Sequence, residues 1–394
     1  MTSHSKESSE KKLRVLQIIA SPAMGGIENQ LLAFLQRYDR KKYVVEVACG
    51  GGTTGSLRDA YLATTTRLIP CKWSRYVIPF VWRLFRILKR ERYDVIHARL
   101  TEVSGAAMLA AKLAGVPTRI ASYHHTKTRW RNPGLLTRMS VSILERMTRR
   151  WATKILSISE ACLDVYHPDW RQHPEQFEIC YNGVDTDRFS APFVCDEVRS
   201  ELGLPAVCSV LGHVGGFREV KNHQALVEIA QRVYRLCDNV YFLLVGDGAL
   251  RQQIETEVSK RGLSGRFVFA GTRCDVPRML AAMDVFVMPS LDEGFGTVVV
   301  EAQLGGLVVI ASNIPSMREA LSPGLQQFCC APNDAAGMAE HIVMLLKNTQ
   351  LRQTLGREAR EYAAKRFSIE KTVRQLEAVC CSPAPCTSGQ RPRR

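Results

Sequence analysis

No apolar run in this 394-residue sequence reaches the roughly 18 residues that a membrane-spanning helix needs, which argues against an integral membrane protein. The stretch from Met1 to Lys12 lacks both an apolar core and a small-residue cleavage site, so it does not read as a secretory signal. Cysteine is present but lacks order. There are 13, an odd number, without metal-type spacing and with two adjacent pairs, Cys329-Cys330 and Cys380-Cys381. That pattern argues against a disulfide framework and a zinc site, and for free thiols in a reducing cytosol. Acidic residues are nearly missing from one stretch. Between Lys72 and Lys154 there are 18 Lys/Arg and 4 Asp/Glu, which accounts for nearly all of the formal net charge of +15. Such an excess points to a polyanionic partner: nucleic acid, an anionic membrane surface or a phosphorylated substrate.

What is present is ordinary globular material, 46% hydrophobic and 23% charged, in a length that suits two domains. Strand patterns at Leu13–Ile19, Tyr43–Ala48, Val95–His97 and Arg119–Tyr123 alternate with helical patterns near 28–35, 78–92 and 104–114. The alternation restarts with strands at Val207–Gly212, Val240–Val245, Phe267–Phe269, Val285–Met288 and Val308–Ile310. Helices near 222–235, 249–260, 277–282 and 298–304 lie between them, and two more follow at the C-terminus. Strands alternating with helices predict an α/β fold with parallel sheets. The boundaries expected are a polar tail at 1–12, a first Rossmann-like domain at 13–190 and a second at 205–367. A C-terminal helix at 368–381 and a disordered tail at 382–394 complete the chain. Ligands of such sheets bind beyond the carboxyl ends of the strands, and two facing units would enclose a cleft there.

The segment Pro289-Ser290-Leu-Asp-Glu293-Gly294-Phe295-Gly296-Thr297 passes from the end of a strand into a helix that contains Glu301. Free backbone N–H groups at a helix start cradle phosphate. A carboxylate beside them makes little sense as a phosphate ligand and good sense as a ligand of sugar hydroxyls, and two carboxylates could grip two sugar rings.

Glu293 and Glu301, with seven residues between them in a Glu-Gly-Phe-Gly…Glu run, resemble the EX7E motif of the family-4 retaining glycosyltransferases. The likeness extends from about Val15 to Phe367. It takes in Gly25-Gly26-Ile-Glu28, Asn182-Gly183-Val184-Asp185, Gly212-His-Val-Gly215, Lys221-Asn222-His223, Val245-Gly246-Asp247-Gly248 and Ala282-Met-Asp284. A dinucleotide oxidoreductase is set aside because Gly25-Gly26 lacks the third glycine of that fingerprint. The resemblance implies the GT-B fold, with two facing Rossmann-like domains, parallel sheets and an interdomain cleft.

It also implies roles. Glu293 would sit beside the transferred sugar and Glu301 would bind the ribose hydroxyls. The amides of Phe295, Gly296 and Thr297 would hold sugar and diphosphate, while Gly25 and Gly26 would let a first-domain loop approach the donor phosphates. His124 matches the acceptor-side histidine, with the adjacent His125 as its alternative. Lys221 would stabilise the leaving diphosphate, with no metal and no other cofactor. The family places an arginine after the glycine matching Gly215. Here Gly216 occupies that position and Arg218 follows two residues later, so either Arg218 reaches the diphosphate or leaving-group stabilisation is weaker.

The partners implied are a UDP- or GDP-sugar donor and a glycan or lipid-linked acceptor in cell-surface polysaccharide or lipopolysaccharide synthesis. Nucleic acid is not expected. In the basic half, Phe80, Val81, Leu84, Phe85 and Leu88 form an apolar helix face opposite Arg83, Arg86, Lys89 and Arg90, and the segment 135–151 is similar. These helices fit the anionic face of a membrane, so the expected location is cytoplasmic and peripheral on the inner membrane. The alternative is that each apolar face simply packs on the sheet. The rival functions are a nucleotide-sugar epimerase on the same fold, for which no additional acid/base pair is identifiable, and a catalytically weak nucleotide-sugar-binding scaffold, which Gly216 would favour.

Overall fold

The computed structural model describes residues 11–23, 25–64, 66–73, 77–126, 134–190 and 195–381. The expected tails, apart from Lys11 and Lys12, lie outside them. The chain divides into two compact units. The described residues of Met1–Ile158, Cys162–Cys180 and Thr372–Arg394 form one, and Ser159–Ala161 with Tyr181–Lys371 form the other.

The first unit is built on seven strands: β1 (Leu13–Ile19), β2 (Tyr43–Cys49), β3 (Leu68–Pro70), β4 (Val95–Ala98), β5 (Thr118–Tyr123), β6 (Lys154–Ser157) and β7 (Phe177–Ile179). They pair in the order β3-β2-β1-β4-β5-β6-β7, every pair parallel. The second unit has β8 (Ser209–Val214), β9 (Val240–Val245), β10 (Phe267–Gly271), β11 (Val285–Met288) and β12 (Val308–Ala311), in the order β10-β9-β8-β11-β12, again all parallel. Parallel strands covered by helices on both faces read as apolar runs. Every residue of β11 and of β12 is buried. In each sheet the order reverses once, between β1 and β4 and between β8 and β11. Such a reversal is where an open α/β sheet binds its ligand.

The helices follow the same logic. In helix Val77–Glu91 the buried residues are Phe80, Leu84 and Leu88, one per turn, so this face packs inward while Arg83, Arg86, Lys89 and Arg90 stay exposed. Part of the basic amphipathic pattern is therefore core packing. Some elements fall outside the periodicity reading. Strands β3 and β7 have three residues each, too few for a pattern to register, and β6 (Lys154-Ile-Leu-Ser157) is only half apolar. Where two helices are expected after the last strand, four follow among the described residues: Pro315–Ala320, then Ala335–Lys347, Thr349–Arg366 and Ile369–Cys381, the last three separated where Asn348 and Phe367 interrupt the helical run. Helix Cys195–Glu201 lies in the interval 191–204 between the two expected domains. Among the described residues no helix is long and apolar enough to cross a membrane.

Candidate donor and acceptor sites

The loops after β8 and β11 meet at the switch point of the second sheet, and their sequences explain the fit. Gly246 has φ +133°, and a Cβ there would lie 2.2 Å from the Gly215 carbonyl oxygen, so only glycine lets the β8 and β9 loops close on each other. Beyond Gly215 the chain turns through Arg218 into the short turn Glu219–Lys221, and Asn222 follows at φ 54°. The Asn222 side chain donates to the carbonyls of Pro289 at 3.1 Å and Pro332 at 3.0 Å. The amide of Leu291 donates to Val220 O at 2.8 Å. Two loops distant in sequence are thus held as one.

The chemistry sits where they join. Lys221 Nζ lies 2.6 Å from Glu293 Oε1, with side-chain exposures of 11% and 15%. Ser290 Oγ donates to the same carboxylate oxygen at 3.0 Å. The Glu293 carbonyl accepts from Ser316 Oγ at 2.7 Å, and the Gly294 carbonyl accepts from Ser159 Oγ at 2.6 Å. Phe295 is buried between the rings of Tyr181 and Phe367, with centroids at 5.2 and 5.3 Å. Gly296 then takes φ +79°, with Met317 Sδ 3.0 Å from where a Cβ would be, and caps helix Thr297–Leu304. Thr297 Oγ1 accepts from Asn182 Nδ2 at 3.2 Å.

In that helix Val299, Val300 and Ala302 are buried, whereas Thr297, Val298 and Glu301 keep some exposure. Thr297 and Glu301, four residues apart, therefore share the accessible stripe. Burial pushes the Glu301 carboxyl up to about 7, against the smaller opposing pull of Arg188. Lys221 and Glu293 are in contact, and Thr297 and Glu301 lie on the helix into which the Glu293 loop leads. Ser290, Ser316 and Asn222, which hold that loop, were not singled out. Ser290 and Asn222 were signalled only by proximity in sequence to the acidic loop or to Lys221, and Ser316, 23 residues beyond Glu293, had no local signal.

Arg218 is exposed. A Cβ on Gly216 would stand 3.6 Å from Arg218 Nε and 3.5 Å from Asp247 O, both ordinary contacts, and Gly216 does not have positive φ. The fold thus does not require glycine at 216, and Arg218 brings a cation beside it.

In the first unit, Gly25 is the extended N-cap of helix Gly26–Arg37, and a Cβ on Gly26 would meet nothing within 4 Å. The one close neighbour of Gly25 is the flexible end of Glu28. Local packing gives neither residue a strong reason to be glycine. His124 follows β5, is 5% exposed, and among the described residues its buried Nε2 has no hydrogen-bond partner. Burial holds its imidazole well below the usual range, helped by the charge of Arg99, so it is neutral at pH 7. His125 is exposed. His97 is structural: its Nε2 meets Ser122 Oγ at 2.5 Å. Among the described residues no cluster of three or more His, Cys, Asp or Glu could hold a metal ion.

Residues 196–362 match the family described as glycosyl transferases group 1, and residues 24–188 match glycosyltransferase family 4. The chain is 25% identical to the UDP-Gal:alpha-D-GlcNAc-diphosphoundecaprenol alpha-1,3-galactosyltransferase of Escherichia coli, over 94% of this chain and 97% of that one. It is 25% identical to the N-acetyl-alpha-D-glucosaminyl L-malate synthase of Bacillus anthracis, over 77% and 78%. Among solved structures, HepE of Anabaena in complex with UDP superposes with a TM-score of 0.80 at 22% identity, covering 93% of this chain and 99% of that one.

Proposed function

The chain belongs to the family-4 glycosyltransferases, with the GT-B fold, and from that premise we propose that it moves a sugar from a UDP- or GDP-sugar, with retention at the anomeric carbon, onto a glycan or lipid-linked acceptor. The observation that carries this reading is the Lys221–Glu293 pair beside the start of helix Thr297–Leu304. One cation, one carboxylate and a helix start are the groups that a sugar diphosphate needs. The helix start and Lys221 take the diphosphate, and Arg218 adds charge at its edge. Glu293 accepts from sugar hydroxyls near the reacting carbon, and Glu301 accepts from the ribose. Gly25 and Gly26 leave a bare backbone for close approach to the phosphates.

In the reaction the acceptor hydroxyl oxygen bonds to the anomeric carbon on the face that the diphosphate leaves. The carbon–oxygen bond to phosphate breaks, the electron pair goes to the diphosphate, and the acceptor proton passes to the departing phosphate oxygen. Lys221 and the helix start stabilise the charge that develops there, which is electrostatic catalysis by prearranged groups. His124 lies on the acceptor side as a neutral hydrogen-bonding group. The galactosyltransferase relative and the UDP complex of HepE favour UDP over GDP.

A lipid-linked acceptor would be met at a bilayer, and exposed apolar side chains of the first unit support that reading. Ile78 and Leu136 are each 80% exposed, and Trp82, Leu135, Met139 and Ile143 are exposed beside Arg86, Arg138 and Arg146. These apolar side chains lie in the N-terminal halves of helices Val77–Glu91 and Leu135–Trp151, so packing on the sheet does not account for them. A thermal-shift panel of UDP-, GDP- and ADP-sugars tests the donor assignment, since a ligand of the native state raises stability. Stabilisation by UDP- or GDP-sugars supports the reading, and none by any of the three contradicts it.

A further inference from the structure

The switch point of the first sheet carries a buried cation for which the fold supplies almost no partner. Arg99 follows β4 directly and is 6% exposed. Its Nε donates to Gln17 Oε1 at 3.1 Å, and among the described residues its buried Nη2 has no hydrogen-bond partner. Glu28, in the first turn of helix Gly26–Arg37, is close enough for each to perturb the other, yet among the described residues no ion pair joins Arg99 to any carboxylate.

Arg199 in the second unit shows how this chain treats a structural arginine at similar burial. It is 8% exposed, and its Nη2 meets Asp284 Oδ2 at 2.8 Å. Its Nε and Nη1 donate to the carbonyls of Ala282 and Cys208 at 3.0 and 3.1 Å. A guanidinium does not shed its charge in a protein, and a buried charge without a partner is costly. Arg99 therefore costs the fold stability that Arg199 does not.

His124 is the second such group. Residues Ala98 of β4 and Ala121 of β5 are register partners, and side chains alternate along each strand. Arg99, Ser122 and His124 thus project from one face of the sheet. Arg99 Nη2 and His124 Nε2, two buried polar atoms without partners, share the carboxyl edge of neighbouring strands.

We propose that Arg99 and His124 form an anion subsite that receives a phosphate of the acceptor. The guanidinium offers donors in the fork geometry that matches phosphate oxygens, and the neutral imidazole adds one hydrogen bond without needing to be charged. The inference rests on the reading that the first unit takes the acceptor, and it narrows that acceptor to one whose sugar is carried on phosphate. The phosphate can belong to a lipid or to a soluble sugar phosphate.

The test is calorimetric titration of inorganic pyrophosphate into the full chain saturated with UDP, which occupies the donor phosphate site. Arg99→Met is expected to weaken this binding about tenfold or more, while Arg99→Lys keeps part of it. Ligand-free Arg99→Met is expected to melt at or above the wild-type temperature, because it removes an uncompensated buried charge. Equal pyrophosphate binding by wild type and Arg99→Met overturns the proposal. So does a lower melting temperature of Arg99→Met, which would make Arg99 structural. Competition by glucose 1-phosphate or by a polyprenyl diphosphate in detergent micelles identifies the source, and competition by neither overturns the acceptor assignment. Failure of the donor reading shows itself separately, as no response to UDP in any variant.

Discussion

Breaking the Lys221–Glu293 pair should be expensive even before any substrate binds. At 2.6 Å the attraction of two unit charges is roughly 6 kcal/mol at an effective dielectric of about 20, before the cost of desolvating both is subtracted. The side chains are 11% and 15% exposed, so screening by water is weak but not absent. Removing one partner of a buried pair costs roughly 3–5 kcal/mol, because the other is left uncompensated. For this slightly accessible pair, Lys221→Met should cost about 2–3 kcal/mol. Glu293→Gln should cost less, since the amide oxygen can still accept from Ser290 Oγ. The double variant should be no worse than Lys221→Met alone, giving a coupling energy of about 1.5–3 kcal/mol. Urea unfolding of wild type, both single variants and the double variant measures it. A coupling below about 0.5 kcal/mol would put the pair with ordinary surface ion pairs and refute the reasoning.

The other predictions concern neighbouring groups. Burial raises the Glu301 carboxyl to about 7, so the folded chain binds a proton there that the unfolded chain loses near 4.5, and wild-type stability falls as pH rises between those values. Glu301→Gln should therefore match wild type near pH 4.5 and exceed it by ~1–3 kcal/mol at pH 8, by urea unfolding at the two pH values. Gly216 has room for a side chain beside Arg218. Arg218→Ala should weaken UDP binding about tenfold, and adding Gly216→Arg to it should restore most of the loss, read by calorimetry. Leu136→Glu together with Trp82→Glu should abolish flotation with vesicles containing anionic lipid and leave UDP binding unchanged.

The two α/β units were legible because buried parallel strands are apolar runs, and β8, β9, β11 and β12 stand out against polar loops. Strands β3 and β7, of three residues each, were not, and neither was β6, whose four residues Lys154-Ile-Leu-Ser157 are only half apolar. The contact between Lys221 and Glu293 was foreshadowed because both lie in short motifs that the sequence reading assigned to one candidate site. Their supports were not, since Asn222 acts through the carbonyls of Pro289 and Pro332, and a contact of that range has no local pattern. Arg99 illustrates the limit further. In the sequence it is one of 18 cations in a basic stretch, and only burial with an unpartnered Nη2 sets it apart. The basic helices gave a mixed outcome, with Phe80, Leu84 and Leu88 packed inward and Ile78 and Trp82 left outside.

The central claim is that the Glu293–Glu301 segment holds the donor, with Glu293 at the reacting sugar. Its most direct test is the turnover of Glu293→Gln with the UDP- or GDP-sugar that stabilises the wild type best, measured as release of nucleoside diphosphate alongside calorimetric binding of that diphosphate. The account predicts that release is abolished while diphosphate binding is largely kept. Unchanged release would remove Glu293 from the mechanism.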